Sequence, residues 1–158
     1  KMRINKLLDR ALIPGNAGEL LFYQRGDEYA IEVVGIRGDL MSTAIHGSED
    51  ALAELAIKKL PDRSKAHVLV GGLGMGFTLA AALKHIGARG RVTVAELVPE
   101  VVKWNQGPMG ERAGNPMLDP RAVVRVIDVA EAIAEAKGVY DAILLDTDNG
   151  PEGLPTRK

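Results

Sequence analysis

The sequence contains no cysteine. Disulfides, a thiolate nucleophile and a cysteine-ligated metal site are therefore excluded, and a reducing compartment is allowed. It has no apolar run approaching the roughly 20 residues that a membrane helix needs. It carries no excess of either charge: 20 Lys and Arg stand against 21 Asp and Glu, for a formal net charge of −1. That balance argues against a basic nucleic-acid binder and a polybasic membrane module. There is no internal repeat and no low-complexity tract. What is present is globular in composition, with 46% apolar and 26% charged residues in a chain of 158. This is enough for one sizeable core and too little for two large domains.

The opening stretch, KMRINKLLDRALIPGNAG, has a basic start and a short apolar run. Asp9 and Arg10 interrupt that run, so it does not read as a signal peptide, and a cytoplasmic location is the default. The first residue is Lys1 rather than Met, which reads as a trimmed or altered start.

The β reading begins at Glu19. Glu19–Arg25 and Glu28–Val34 flank Gly26-Asp27, which suggests a hairpin. Gly35 and Gly38-Asp39 punctuate a third short strand ending near Leu40–Thr43. A helix follows, with Ser48 as N-cap and Glu49 and Asp50 in its first turn. Leu52, Leu55, Ala56 and Leu60 form its apolar face, and Pro61 stops it.

From residue 66 strands and helices alternate. Strands are expected at Ala66–Gly71, Arg91–Glu96, Ala122–Ile127 and Val139–Leu145. Helices are expected at Phe77–Ala88, from Pro99 onward, and at Ala130–Lys137. Gly107–Pro120 reads as a Gly/Pro-rich loop. This order implies an α/β fold, a Rossmann-like doubly wound parallel sheet behind a small N-terminal β-domain. The expected division is 1–45 for the β-domain, 46–62 for a linking helix and 63–158 for the nucleotide-binding domain. The sequence ends at GPEGLPTRK, after the fourth alternating strand, which reads as a fragment of a longer sheet.

Four elements carry candidate chemistry. Val68–Gly76, VLVGGLGMG, is a strand feeding a glycine loop that opens a helix. Such loops admit a ligand close to the backbone and present free N–H donors at the helix start. Phe77 stands where a dinucleotide-binding G-x-G-x-x-G has its third glycine, which favours an S-adenosylmethionine-type nucleotide over NAD. Glu96, at the next strand end and 20 residues after Gly76, is placed to accept both ribose hydroxyls; alone it is a solvated strand-end acid. Asp128, at the third strand end, either accepts from an adenine amino group or caps the following helix. Asp146, Asp148 and Glu152 crowd three carboxylates into seven residues, which a cationic amine would relieve. Asp146 is placed to take its proton; otherwise this is a polar turn. A metal is conceivable there, but no His is nearby.

These segments, in order, resemble the spermidine synthase-like proteins, the polyamine aminopropyltransferases of the class I methyltransferase fold. VLVGGLGMGFT, VTVAELVPEVVKWNQ, VVRVIDVAEAI and YDAILLDTDNGPEGL carry the resemblance over residues 19–154. It implies that Gly72, Gly74, Met75 and Gly76 cradle the methionine-derived end of the donor. Glu96, with Leu97 beside it, would hold the ribose, and Asp128, with Val129, the adenine. Asp146 would be the catalytic base, and Asp148 and Glu152 would bind the amine. His46 would lie near the substrate entrance, although Gly47 replaces the acid that follows it in the family; read from the residues alone it is a solvent-facing His just before a helix. His67 and His85 read as structural. The donor implied is S-adenosylmethionine or its decarboxylated form, with no metal. The partners implied are a small-molecule amine and a second copy in a homodimer, with no nucleic acid or membrane.

One departure bears on the donor. The family loop reads G-G-G-D-G-G, and its Asp holds the propylammonium of the decarboxylated donor. Met75 stands in its place. An Asp there would repel the carboxylate of ordinary adenosylmethionine, since two like charges ~4 Å apart cost about 4 kcal/mol at an effective dielectric of 20. Met75 removes that discrimination and opens methyl transfer as an alternative. A nucleotide-binding or assembly protein without turnover is a third reading.

Overall fold

The computed structural model describes residues 4–145. They fall into two compact units, 4–46 and 47–145.

The first unit is a four-stranded antiparallel sheet in the order β1-β2-β3-β4: Asn5–Ile13, Gly18–Arg25, Glu28–Val33 and Met41–Ser42. The expected hairpin is β2–β3, closed by the Arg25–Glu28 pair across Gly26-Asp27, with Gly26 at φ +66°. Alternation along β2 buries Leu20 and Phe22, which meet Val33 and Ile31 on β3. The rings of Phe22 and Tyr29 stack at 5.8 Å. β4 is held by more than its short ladder: the Thr43 hydroxyl accepts from the Tyr29 N–H at 2.8 Å and donates to Glu28 Oε1 at 2.6 Å. Arg25 grips Asp39 through two bonds of 3.0 and 3.1 Å. Burial and the nearby Asp39 push the Glu32 carboxyl upward.

Strand β1 was not expected from the sequence. Its register with β2 slips between Leu7 and Asp9, so Leu8 is the extra residue of a bulge. The bulge sets Leu7 and Leu8 side by side in sequence and erases the period-two pattern by which a strand is recognised.

The second unit is a four-stranded parallel sheet, β7-β6-β5-β8, built from His67–Gly71 (β5), Arg91–Glu96 (β6), Ala122–Val126 (β7) and Ala142–Leu145 (β8). Five helices accompany it: Ser48–Lys58 (α1), Phe77–His85 (α2), Pro99–Asn105 (α3), Pro108–Arg112 (α4) and Val129–Ala136 (α5). Leu69, Ala95 and Ala132 of α5 make a buried cluster on one face of the sheet, joined by Ile127, Val129 and Tyr140. Strand alternation sends Val68, Val70, Val92 and Val94, all fully buried, to the other face. α1 packs against α2 and β8.

Three expectations are corrected here. The face that α1 buries is Ala53 and Ile57, flanked by half-buried Ala56 and Leu60; Leu52 and Leu55 are 42% and 65% exposed. The 53-56-57-60 stripe has helical spacing too, and its small alanines allow α1 to lie close to α2. The N-cap is Gly47, and Ser48 is already helical. Glu49 closes this end, its Oε1 accepting from the Gly47 N–H at 2.6 Å. The Gly107–Pro120 stretch is also no plain loop. It holds α4 and a 3₁₀ turn at Pro116–Leu118, each with a proline at its first position, where a missing N–H costs nothing.

Candidate functional site

The site is built on the carboxyl ends of the parallel strands, where ligands of open α/β sheets bind. Pairing sets these ends level. Gly71 stands opposite Ala95 on one side and Leu145 on the other, and Glu96 opposite Val126. The glycine loop leaves β5, and Glu96 ends β6. Asp128 follows β7.

Glycine is required at several points of the loop for stated reasons. Gly72, Gly74 and Gly76 lie at φ +98°, +51° and +89°, in the left-handed region. A Cβ on Gly71 would come 2.9 Å from the Val129 side chain at the start of α5 and 3.0 Å from that of Leu145 on β8, so those side chains would have to shift to admit one. Gly76 is the N-cap of α2, and its carbonyl accepts from Ala80 N–H at 3.0 Å.

Glu96 is tied to the loop directly. It is 7% exposed. Oε1 accepts from the Leu73 N–H at 2.7 Å, and Oε2 from the Val98 N–H at 3.0 Å. The Gly72 N–H is bonded to the Ala95 carbonyl at 2.8 Å. A buried carboxylate is tolerable only when hydrogen-bonded, and each of these oxygens keeps a second lone pair for a ligand hydroxyl.

Asp128 caps α5, its Oδ1 accepting from the Ala130 N–H at 2.8 Å. It is exposed at the rim, and Val129 behind it abuts Gly71. Leu97 is 37% exposed beside Glu96, whereas Met75 is 5% exposed. The structure thus brings together the glycine loop, Glu96 and the Asp128–Val129 corner. His46 is an exposed residue at the end of the first unit. Asp146, Asp148 and Glu152 lie outside the described residues. Among the described residues, no cluster of three or more His, Asp or Glu is placed to hold a metal, and no helix is long and apolar enough to cross a membrane.

One residue of the site was missed in the sequence. Asn105, the last residue of α3, is 4% exposed. Its Nδ2 donates to the Gly74 carbonyl and to the Val101 carbonyl, both at 2.8 Å. Those two acceptors fix which end of the amide is which, since the reverse would set oxygen against oxygen. Oδ1 is buried without a partner among the described residues, and a Cβ on Gly76 would sit 3.0 Å from it. An orphaned buried acceptor costs about 1–3 kcal/mol. The signal was a polar residue four positions after Val101 on the buried side of an apolar helix.

The other end of the same strands is closed on itself. Arg121 binds Asp119 through two bonds of 3.0 and 2.8 Å and the carbonyls of Ile86 and Gly87 at 3.1 and 3.2 Å. His67 Nε2 lies 2.9 Å from the Thr93 hydroxyl, and its ring meets Tyr140 edge-on at 4.7 Å. Burial, reinforced by Arg91, pushes the His67 pKa down. His85 contacts Asp50 at 3.2 Å, and this hydrogen bond lowers the Asp50 pKa. A polar cleft at this end, lined by Asp62, Arg63, Lys84 and His85, holds none of the expected site residues.

No protein-family model matches the sequence, and no curated protein matches it either. Solved structures do. A spermidine synthase bound to the transition-state analogue AdoDATO superposes with a TM-score of 0.68 at 19% identity, covering 92% of this chain and 47% of its own. Spermidine synthase from Thermotoga maritima gives 0.68 at 20% identity, covering 92% and 48%. The chain therefore spans about half the length of the structures it matches. The likeness read from the sequence motifs is borne out at the level of fold: this chain has the spermidine synthase-like methyltransferase fold, with an antiparallel N-terminal sheet and a four-stranded parallel sheet.

Proposed function

We propose that the glycine-loop rim binds an S-adenosylmethionine-type nucleoside and that the protein transfers an alkyl group from its sulfonium to a small-molecule amine. The observation that carries this reading is the coupling of Glu96 to the loop. The Glu96 carboxylate is buried and bonded to the Leu73 N–H of a left-handed glycine loop, at the carboxyl rim of a parallel sheet, which supports its reading as the ribose acid. In this reading Glu96 takes the ribose hydroxyls through its remaining lone pairs. Asp128 and Val129 meet the adenine, and the loop takes the sulfonium-bearing tail.

The reaction needs little beyond positioning and a base. The amine lone pair attacks the carbon next to the sulfonium. The carbon–sulfur bond breaks, its electrons return to sulfur, and a neutral thioether leaves. The proton of the new ammonium passes to Asp146, with Asp148 and Glu152 holding the cationic acceptor. The likeness in fold to spermidine synthases supports aminopropyl transfer to a polyamine from a decarboxylated donor. Met75 supports a second reading, methyl transfer from ordinary adenosylmethionine, because no carboxylate at that position repels the donor's own. A cytoplasmic homodimer belongs to the same proposal.

Calorimetric titration separates these readings. The protein is titrated with adenosylmethionine and with its decarboxylated form, and with methylthioadenosine and NAD as controls. Tighter binding of the decarboxylated donor supports aminopropyl transfer. Tighter binding of adenosylmethionine supports methyl transfer. No binding of any nucleoside overturns the proposal.

A further inference from the structure

We infer that Asn105 is the positioning residue of the glycine loop, fixing the Gly74–Met75 peptide so that its N–H faces away from the core as a donor for the polar tail of the bound nucleoside. The inference rests on the nucleoside reading of the site and adds a residue and a donor to it.

Asn105 donates one bond to the carbonyl of its own helix at Val101 and one to the Gly74 carbonyl, 31 residues back in the chain. The first bond fixes the side chain and the second fixes the loop. No peptide in the described chain is cis, and in a trans peptide the carbonyl and the following N–H point in opposite directions. With the Gly74 oxygen held toward the buried Asn105, the Met75 N–H is held the other way. At Gly74, φ +51° is a backbone state that is easily reached and easily left by glycine, so a tether is needed to keep one orientation.

Asn105 is also an expensive way to fill space. Among the described residues its buried Oδ1 has no partner, and an apolar side chain of the same size would avoid that. Local rules broken without a packing gain are expected at functional positions. The same Oδ1 lies where a Gly76 Cβ would crowd it, so Asn105 and Gly76 constrain each other. The donor that results is neutral and comes from the backbone. It suits a carboxylate or other acceptor on the ligand tail, and Met75 brings no charge to oppose it.

The test compares the wild-type chain with Asn105→Ala and the near-isosteric Asn105→Asp. Two probes are titrated: S-adenosylhomocysteine, which carries the amino-acid tail, and adenosine, which lacks it. Hydrogen exchange of residues 72–77 is measured in parallel without ligand. The expected result is at least a tenfold weaker affinity for S-adenosylhomocysteine with adenosine changed less than threefold, and faster exchange confined to the loop. Leu79→Ala, a core variant of α2, controls for general loosening and should leave the ratio of the two affinities unchanged. Equal weakening of both probes, or unaltered loop exchange in both Asn105 variants, overturns the inference and leaves Asn105 a packing residue. If the wild-type chain binds neither probe, the donor role fails, and the nucleoside reading fails with it where decarboxylated adenosylmethionine does not bind either. The exchange data then decide separately whether Asn105 holds the loop.

Discussion

The two ends of the parallel sheet are made from the same four strands and treat their polar groups in opposite ways. At the amino end, Arg121 spends its guanidinium on Asp119 and two backbone carbonyls, His67 meets Thr93, and the Asp141 carboxylate accepts from the His67 N–H at 2.8 Å. At the carboxyl end, three loop glycines stand in left-handed conformations, Glu96 is buried, and Asn105 leaves an oxygen without a partner among the described residues. Hydrogen-bond saturation of this kind makes a stable end. Incomplete saturation beside a permissive backbone makes an end that a ligand can complete. Mutations should therefore separate into those that cost stability and those that cost binding.

The largest effect is expected at the amino end. A Cβ on Gly87 would come 2.5 Å from Ser64 Cα and 2.8 Å from the Ser64 carbonyl, both backbone atoms that cannot swing aside. Gly87→Ala should cost about 3 kcal/mol, the upper range for overpacking, and lower the melting temperature by about 10 °C. Nucleoside affinity of the remaining folded protein should be unchanged in calorimetry. A loss of affinity larger than the loss of folded protein would erase the contrast between the ends.

Glu96→Gln sharpens the contrast from the other side. It sets an amide NH₂ against one of the two N–H donors that Glu96 now satisfies and should cost about 2 kcal/mol in denaturant unfolding. Under the proposed function, nucleoside affinity should fall by more than tenfold, because Glu96 is the proposed ribose acceptor. Arg121→Lys exchanges a planar fork for a point charge and should cost about 1 kcal/mol with no change in affinity.

The smallest effect is a pH dependence confined to the amino end. Burial lowers the His67 pKa from its ordinary value of about 6.5. A lowered folded value means that the unfolded chain binds the proton first as the pH falls. The stabilisation is therefore complete above pH 6.5 and is lost as the pH drops through the depressed folded value. His67→Gln should flatten the fall in melting temperature between pH 7 and pH 5. An unchanged slope would show that His67 does not titrate in the folded protein in this way.

Much of this second unit was legible because its signals are local. Arg91–Glu96 is a strand to the residue, Pro99 opens α3, and Asp128 takes the capping role that was one of its two expected ones. The glycine loop and its partner Glu96 follow from the strand–loop–helix pattern. What escaped depends on tertiary packing or on broken periodicity. The bulge at Leu8 disguised β1. Leu52 and Leu55 have the helical spacing of an apolar face, but closeness to α2 favours the small residues Ala53 and Ala56. Pro108 and Pro116 looked like chain breakers and are helix starters. Asn105 is defined by a bond to a residue 31 positions away, which no local pattern carries. The acidic segment with Asp146, Asp148 and Glu152, which carries part of the sequence resemblance, lies outside the described residues.

The most direct test of the account is amide NMR of the protein titrated with S-adenosylhomocysteine. The account predicts saturable shifts clustered at residues 71–77, 96–98 and 128–130, with residues 62–64 and 84–87 unmoved. An unchanged spectrum, or shifts centred on the amino-end cleft, would contradict it.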